Sequence, residues 1–307
     1  MAIKPCVELL GGRVVPMKSN IDWTAGGEVM NKEALKQYFV APEDIGKYNY
    51  AMSFSNKEGK QALARMGVTR DEVYDRITEA RSKILATASS ASKYYDEATG
   101  VYQAERTALH QSIVKDMVKS GAVSENPTAL ITGGIPGSGK STMLEHDVYK
   151  DRMKSYAVLD ADKIKTVLAK ADGIDRVTWE AGLYHVESSD VLNIALRQAK
   201  AEKRNIVIDL TMKNTGKTAA MIDELKAAGY KIEVAYAELP LEKAIVRGVE
   251  RFVKDQGRFV DPVYIASNGD KTLKTFEAVK DKADVWRQWN TDVPFGKLAK
   301  IVAEGKN

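Results

Sequence analysis

The sequence is poor in the residues that build disulfides and metal centres. Its 307 residues include a single cysteine, Cys6, and three histidines, His110, His146 and His185. One cysteine cannot form a disulfide within the chain, so a disulfide-stabilised scaffold is excluded and a reducing compartment is favoured. The histidines are scattered, and their spacing does not match that of a zinc site.

Long apolar runs and a large charge excess are also missing. No stretch approaches the roughly 20 apolar residues of a membrane-spanning helix, and the N-terminus lacks the apolar core of a signal peptide. The net charge of +4 is smaller than that of dedicated nucleic-acid-binding proteins, so the composition argues against a nucleic-acid partner. With 44% hydrophobic and 29% charged residues, the composition predicts a globular, cytoplasmic protein without a membrane partner.

Residues 1–103 are interpreted as a largely helical N-terminal extension. In its second half, Val73, Ile77, Ala80 and Ile84 recur at the spacing of one helix face. Two roles are open for this extension. It is either a regulatory or partner-binding segment, including an inhibitor in cis, or a packing segment that completes the following domain.

From Ala129 onward, strand and helix patterns alternate, and we interpret residues 104–307 as one domain. The pattern predicts a doubly wound, mainly parallel α/β sheet with flanking helices, in which ligands bind at the carboxyl ends of the strands. The expected strands cover 129–132, 157–160, 205–210 and 231–237. The expected helices cover 141–150, 162–171, 176–202, 216–228, 240–254 and 271–287.

The turn after the first of these strands carries a complete phosphate-binding motif. Gly134 is followed at the required spacing by Gly139, Lys140 and Ser141, with a strand before the motif and a helix after it. A chance match is the alternative, which the flanking pattern disfavours. We expect Lys140 to bind the outer phosphates of ATP or GTP and the Ser141 hydroxyl to coordinate Mg²⁺. The predicted phosphate-binding set is Gly134, Pro136, Gly137, Ser138, Gly139, Lys140, Ser141 and Thr142.

Acidic residues follow the next two strands at the same edge of the predicted sheet. Asp160 and Asp162 suit a pair in which one carboxylate aligns an attacking hydroxyl and the other contacts Mg²⁺. The alternative for Asp162 is a simple helix N-cap. Asp209 and Thr211 are expected near the metal or the substrate, with ordinary loop polarity as the alternative.

Three arginines recur after the last clear strand. Arg247 and Arg251 share a helix face, and Arg258 follows a glycine in a predicted loop. The planar guanidinium binds phosphate oxygens with two hydrogen bonds, so these residues are candidates for a triphosphate site. The alternative is an exposed basic helix with salt bridges to Glu242 and Glu250.

Two further candidates have weaker signals. Glu187 lies in a polar part of a predicted long helix and is a candidate for contact with a sugar, with a solvated helix face as the alternative. Asn290 is a candidate for contact with adenine. It ends the segment Trp286–Asn290, which we interpret as the last strand edge, with packing roles for both tryptophans.

The combination of these motifs resembles the zeta-toxin-like P-loop kinases, a group related to polynucleotide kinases. The resemblance covers residues of about 104–306. It rests on five blocks in the same order, Gly133–Thr142, Leu159–Lys163, Val186–Asp190, Ile206–Thr211, and Glu250–Arg251 with Gly257–Arg258.

This resemblance implies roles for several residues. Asp162 corresponds to the catalytic base, Lys140 to the phosphate-binding lysine, and Arg251 and Arg258 to the phosphate-stabilising arginines. The resemblance also places Glu187 and Thr211 on the substrate side. In the family's pattern, a glycine stands where this chain has Leu210, and a minimal zeta toxin lacks the first hundred residues.

The resemblance also implies an activity. Family members transfer the ATP γ-phosphate to a hydroxyl, either on UDP-N-acetylglucosamine or on the NAD ribose, and act as toxins or effectors with antitoxin-like partners. We therefore expect an ATP- and Mg²⁺-dependent kinase with a nucleotide-type acceptor, active in the cytoplasm, including that of a cell into which it is delivered. The alternatives are a polynucleotide 5′-hydroxyl kinase and a non-catalytic nucleotide-binding module.

Overall fold

The centre of the molecule is a six-stranded sheet. The computed structural model describes residues 54–294 and 297–307, together with the backbone of residues 9–10 and 13–14. The sheet consists of β5 (Thr128–Gly133), β6 (Ala157–Leu159), β7 (Ile206–Asp209), β8 (Lys231–Glu238), β9 (Val285–Asn290) and β10 (Lys300–Lys306). Two small antiparallel pairs precede it, β1 (Leu9–Leu10) with β2 (Arg13–Val14), and β3 (Tyr95–Asp96) with β4 (Val101–Tyr102).

The order of the strands places three loops at one edge of the sheet. The order is β10-β9-β8-β5-β7-β6, and β10 alone runs antiparallel to its neighbour. The central strand β5 pairs with β7 on one side and β8 on the other, so the carboxyl ends of β5, β6 and β7 lie together. A doubly wound sheet of this kind binds ligands at that edge.

Helices flank the sheet, and we number them in chain order through the described residues. They are α1 (Lys57–Met66), α2 (Arg70–Ala86), α3 (Ser90–Tyr94), α4 (Ala104–Val118), α5 (Lys140–Leu144), α6 (Asp147–Lys150), α7 (Ala161–Ala171), α8 (His185–Ala201), α9 (Thr215–Ala227), α10 (Leu241–Val253) and α11 (Pro262–Val279). Shorter 3₁₀ segments cover Arg152–Ser155, Trp179–Tyr184 and Lys280–Lys282. Across the described residues, none of these helices is long and apolar enough to cross a membrane.

Helices α1 and α2 form a hairpin whose sequence encodes its turn. Gly67 ends α1 in the left-handed region at φ 67°, where a side chain would be strained. Thr69 and Glu72 then form a capping box at the start of α2, each side chain accepting from the other residue's backbone amide. The predicted stripe Val73, Ile77, Ala80 and Ile84 is buried and joins the same hydrophobic cluster as the central sheet. The described part of the extension thus shares the core of the sheet, while the boundary between residues 103 and 104 stays a prediction.

The fold class predicted from the sequence is confirmed, but the C-terminal elements differ. The helix predicted over 271–287 exists with other bounds, because α11 starts at Pro262, a residue favoured in the first helical turn, and ends at Val279. The following segment forms β9, and it is not the last strand, since β10 pairs along it. Trp289 of β9 is fully buried, in agreement with the predicted packing role.

Candidate functional site

The loop between β5 and α5 has the backbone that a phosphate-binding loop needs. Gly134 adopts a φ of 135°, and a Cβ atom there would lie 2.6 Å from the carbonyl oxygen of Ala237. Gly137 adopts a φ of 86°, and its Cβ atom would lie 2.7 Å from the carbonyl oxygen of Ala244. A side chain at Gly134 would clash with β8 and one at Gly137 would clash with α10, so both glycines are required by the geometry.

Lys140 begins α5 and folds back over this loop. Its ammonium group donates to the carbonyl oxygen of Gly134 at 3.3 Å and lies 3.9 Å from a carboxylate oxygen of Asp209. The Lys140 side chain is 14% exposed, which leaves the cation accessible from one side. Asp209, at the end of β7, also accepts a hydrogen bond from the Thr132 hydroxyl at 2.7 Å.

A cavity of about 490 Å³ opens beside this loop, at the carboxyl ends of the strands. Most of the residues singled out in the sequence line it, although they come from four separate segments of the chain. These lining residues are Pro136, Gly137, Gly139, Lys140, Ser141, Thr142, Asp160, Asp162, Asp209, Thr211, Arg247, Arg251 and Arg258.

The two carboxylates after β6 have different environments. Asp160 is the N-cap of α7, accepting from the backbone amide of Asp162 at 2.8 Å. The alternative in which Asp162 is the cap is therefore wrong. Burial raises the pKa of Asp160, and the nearby charges of Asp209 and Asp162 raise it further.

Asp162 lies in the first turn of α7 and is held between two cations. One carboxylate oxygen pairs with Lys165 at 3.0 Å and the other with Arg258 at 2.9 Å. Burial alone would raise the pKa of Asp162, but the charges of Lys165 and Arg258 outweigh this and hold its pKa well below the usual range. Asp162 is thus a carboxylate that is ionised at physiological pH, and it lines the cavity.

The three arginines converge on the same cavity. Burial and the neighbouring Arg258 lower the pKa of Arg251, and the buried Nε atom of Arg251 has no hydrogen-bond partner among the described residues. Arg247 donates to the backbone oxygen of Thr291 at 3.2 Å. Glu250 pairs with Arg65 of α1, which differs from the alternative of salt bridges within α10. A buried guanidinium with an open donor is suited to an anionic ligand.

The donor set fits a nucleoside triphosphate with a divalent cation. Lys140 and the arginines offer cations to phosphate oxygens, while Ser141, Asp160 and Asp209 offer oxygen atoms in the same cavity. Mg²⁺ characteristically takes one or two carboxylates and completes its shell with phosphate and water oxygens. Burial and, after it, the charges of Asp209 and Asp162 raise the pKa of Asp160, and a cation at this position would offset the repulsion between these carboxylates.

The family model described as Zeta toxin matches residues 113–291, which is more than half of the chain and contains every segment that lines the cavity. The chain belongs to the zeta toxin family.

Individual relatives are distant. Toxin zeta of Enterococcus hirae is 24% identical over 141 residues, which cover 45% of this chain and 49% of the relative. Toxin zeta of Streptococcus pyogenes is 23% identical over 141 residues with the same coverage. The chain therefore spans about half the length of the curated relatives it matches.

A solved structure shares the fold of this zeta toxin family member. The crystal structure of the AvrRxo1-ORF1:-ORF2 complex with ATP superimposes with a TM-score of 0.53 and 17% sequence identity. The superposition covers 67% of this chain and 68% of the other. At this identity the similarity shows a common fold.

Four of the residues predicted for the zeta toxin site do not line the cavity. Glu187 is completely buried on α8, where its carboxylate pairs with Arg106 of α4 and, at 2.6 Å, with His110. The solvated helix face considered for Glu187 is therefore wrong. Asn290 ends β9, and its side-chain oxygen accepts from the amide of Asp292. Gly134 and Ser138 belong to the loop but lie beneath the lining residues.

The cavity also contains residues that the sequence patterns did not single out. The most polar are Lys165, His185, Asp261 and Tyr264. The sequence could have indicated Lys165 as a partner of Asp162, because it follows Asp162 by three residues on a predicted helix and so lies on the same face. His185, which is partly buried, has a pKa held well below its ordinary value by desolvation and by Lys165 and Lys213, and it is therefore neutral at physiological pH. No local pattern identifies Tyr264 or Asp261.

Proposed function

We propose that this zeta toxin family member is an ATP- and Mg²⁺-dependent kinase that phosphorylates a hydroxyl group of a nucleotide-type small molecule. The observation that carries the proposal is the convergence of a phosphate-binding loop, the ionised Asp162 and three arginines on one cavity. A binding module would need the loop and the cations, but it would have no need for a carboxylate held between two of them.

The donor half of the site comprises the loop, Lys140, Ser141 and Asp160. Lys140 would bind the outer phosphates of ATP, and Ser141 and Asp160 would hold Mg²⁺, which supplies charge neutralisation on the β- and γ-phosphate oxygens when bound. Arg251 and Arg258 would neutralise charge on the transferred group, and Arg247 would contact the nucleotide phosphates.

The acceptor half is organised by Asp162. In the transfer, the acceptor oxygen bonds to the γ-phosphorus while the bond to the bridging oxygen breaks, and ADP leaves with the bonding electrons. Because the pKa of Asp162 is low, its main contribution is to accept a hydrogen bond and align the hydroxyl. The proton passes to Asp162 late, once bonding to phosphorus has made the hydroxyl acidic.

The remaining polar residues of the cavity would bind the acceptor. Thr211, the neutral His185 and the Tyr264 hydroxyl line the cavity and would offer hydrogen bonds to a ribose or sugar. We include a UDP-N-acetylglucosamine-like sugar nucleotide and the NAD ribose as acceptor classes. By the family relationship we also propose a toxin acting in the cytoplasm and controlled by an antitoxin-like partner.

The proposal is tested by a search for the phosphorylated product. Wild-type protein and the Lys140→Ala variant are incubated with γ-labelled ATP and a metabolite extract, and the labelled products are identified by mass spectrometry. We expect a labelled nucleotide-type metabolite with the wild type. The variant should bind ATP about 10- to 100-fold more weakly, since hydrogen bonds to charged groups contribute about 1.5–3 kcal/mol. ATP binding without transfer to any acceptor by the wild type would contradict the kinase proposal.

The charge of Lys165 should set the pH dependence of the reaction. Lys165 and Arg258 lower the pKa of Asp162, so the active carboxylate persists as the pH falls. In Lys165→Met this pKa rises, and the acidic limb of the rate profile should move to higher pH by about one unit, since a neighbouring opposite charge shifts a carboxyl pKa by about 1–3 units. The measurement is kcat/KM against pH, with Lys163→Met, an exposed neighbour on the same helix, as control. An unchanged acidic limb in Lys165→Met would show that Lys165 has no such effect.

A further inference from the structure

The α1–α2 hairpin contacts one part of the kinase fold through a series of charged groups. This part consists of α10 and the segment 254–261, which we call the Arg258 loop. The pairs are Glu58 with Lys243 at 2.8 Å, Arg65 with Glu250 at 2.7 Å and 2.8 Å, Arg76 with the backbone oxygen of Val253 at 3.3 Å, and Arg81 with Asp261 at 2.6 Å and 2.7 Å. All three cavity arginines belong to α10 or to the Arg258 loop. The hairpin therefore contacts the arginine side of the site.

The Arg81–Asp261 pair is the strongest of these contacts. The guanidinium donates two parallel hydrogen bonds to the carboxylate, and the two side chains are only 12% and 2% exposed. The same carboxylate accepts from the amide of Val263 at 2.8 Å and so caps α11. Removing one member of such a pair leaves a buried charge without its counterion, which is costly.

The position of Asp261 links this pair to the cavity. Asp261 lines the cavity and lies three residues after Arg258, at the end of the loop that carries it. The two residues that flank Arg258 are held by backbone contacts, from the Gly257 amide to the Arg251 oxygen at 2.9 Å and from the Phe259 amide to the Thr178 oxygen at 3.0 Å. The Arg81–Asp261 pair is thus the side-chain anchor at the C-terminal end of the loop.

We propose that the α1–α2 hairpin is a clamp on the Arg258 loop and that Arg81 is a positioning residue, which acts through Asp261 to place Arg258 against the transferred phosphoryl group. The inference rests on the kinase function proposed above. It assigns the hairpin a role that supports the reaction, in contrast to an inhibitor in cis. The hairpin's burial in the common core agrees with a permanent clamp.

The test compares Arg81→Ala, Arg81→Lys and wild type as full-length chains, with Arg70→Ala, an exposed arginine of the same helix, as the matched control. Two quantities are measured: hydrogen–deuterium exchange of residues 254–263 and the steady-state constants for transfer. In Arg81→Ala we expect exchange of this segment to accelerate about tenfold or more, while that of the phosphate loop is unchanged. We expect kcat to fall about 10- to 100-fold with a much smaller change in the KM for ATP, because misplacement of a catalytic group affects the chemical step.

Arg81→Lys keeps the charge but loses the second hydrogen bond, so it should restore part of both quantities. It also keeps the test decisive if Arg81→Ala does not fold, which circular dichroism would detect. Unchanged exchange of residues 254–263 in both Arg81 variants would overturn the clamp, whether or not an acceptor is found. Accelerated exchange with wild-type kcat would overturn the positioning role. Absence of transfer by the wild type would instead contradict the kinase proposal, and the exchange data would still decide on the clamp.

Discussion

Replacing Arg258 by alanine is expected to lower kcat for phosphoryl transfer by about 10³-fold or more, which is the range found for arginines that stabilise a transferring phosphoryl group. Arg258 lines the cavity, pairs with Asp162 at 2.9 Å and is 27% exposed, so its guanidinium can move from the carboxylate to a phosphate. Arg258→Lys should recover little of the rate, because an ammonium group cannot form the bidentate hydrogen bonds of a guanidinium. The measurement is ADP release in the presence of the acceptor.

Two controls separate this role from a general effect of charge. Lys254→Ala removes an exposed cation from the same loop and should leave kcat near the wild-type value. The binding constant of a non-hydrolysable ATP analogue should change far less than kcat in Arg258→Ala, since the arginine acts mainly on the transition state. A loss of analogue binding as large as the loss of kcat would assign Arg258 to ground-state binding.

Replacing Asp162 by asparagine is expected to lower kcat by about 10²- to 10⁴-fold, the usual range for a positioned acid–base group. The amide keeps the size of the side chain but cannot remain an anion between Lys165 and Arg258. ATP binding should be retained, because Lys140 and the phosphate loop are unchanged. The measurement is kcat together with the affinity for the ATP analogue.

The Asp162 prediction has a matched control and a double-mutant test. Asp151→Asn changes an aspartate that is 86% exposed and pairs with Lys154, so transfer should be unaffected. Because Asp162 and Arg258 are in contact, the combined variant should lose less than the product of the two single losses. Transfer by Asp162→Asn at the wild-type rate would contradict the assigned role.

The elements that the sequence predicted correctly are those encoded by neighbouring residues. The Ile206–Asp209 strand is a short apolar run, and the phosphate loop is a fixed spacing of glycines before Lys140. The buried stripe from Val73 to Ile84 follows the helical period. In each case a few neighbouring residues determine the burial pattern or the backbone conformation, so it can be predicted without knowledge of the rest of the fold.

The predictions that differed from the structure depend on partners distant in sequence. Glu187 reads as a polar helix position, but Arg106, 81 residues earlier, neutralises it inside the core. Trp286–Asn290 was predicted as the last strand edge, but β8 and β10 pair on the two sides of β9, and the partner on the outer side is not evident from the segment itself. Asp160 and Asp162 are equivalent as potential caps in the sequence, and only the backbone of the β6–α7 turn distinguishes them.

By itself the sequence determined the alternating α/β order, the phosphate-binding loop and the set of carboxylates and arginines that follow the strands. The tertiary structure alone decided how these charges are paired. It placed Arg258 on Asp162, and it brought Arg81 to Asp261 across 180 residues of chain. The physical reason is that a charged side chain pairs with whichever counterion the packed core brings within hydrogen-bond distance, and that proximity is a property of the whole fold.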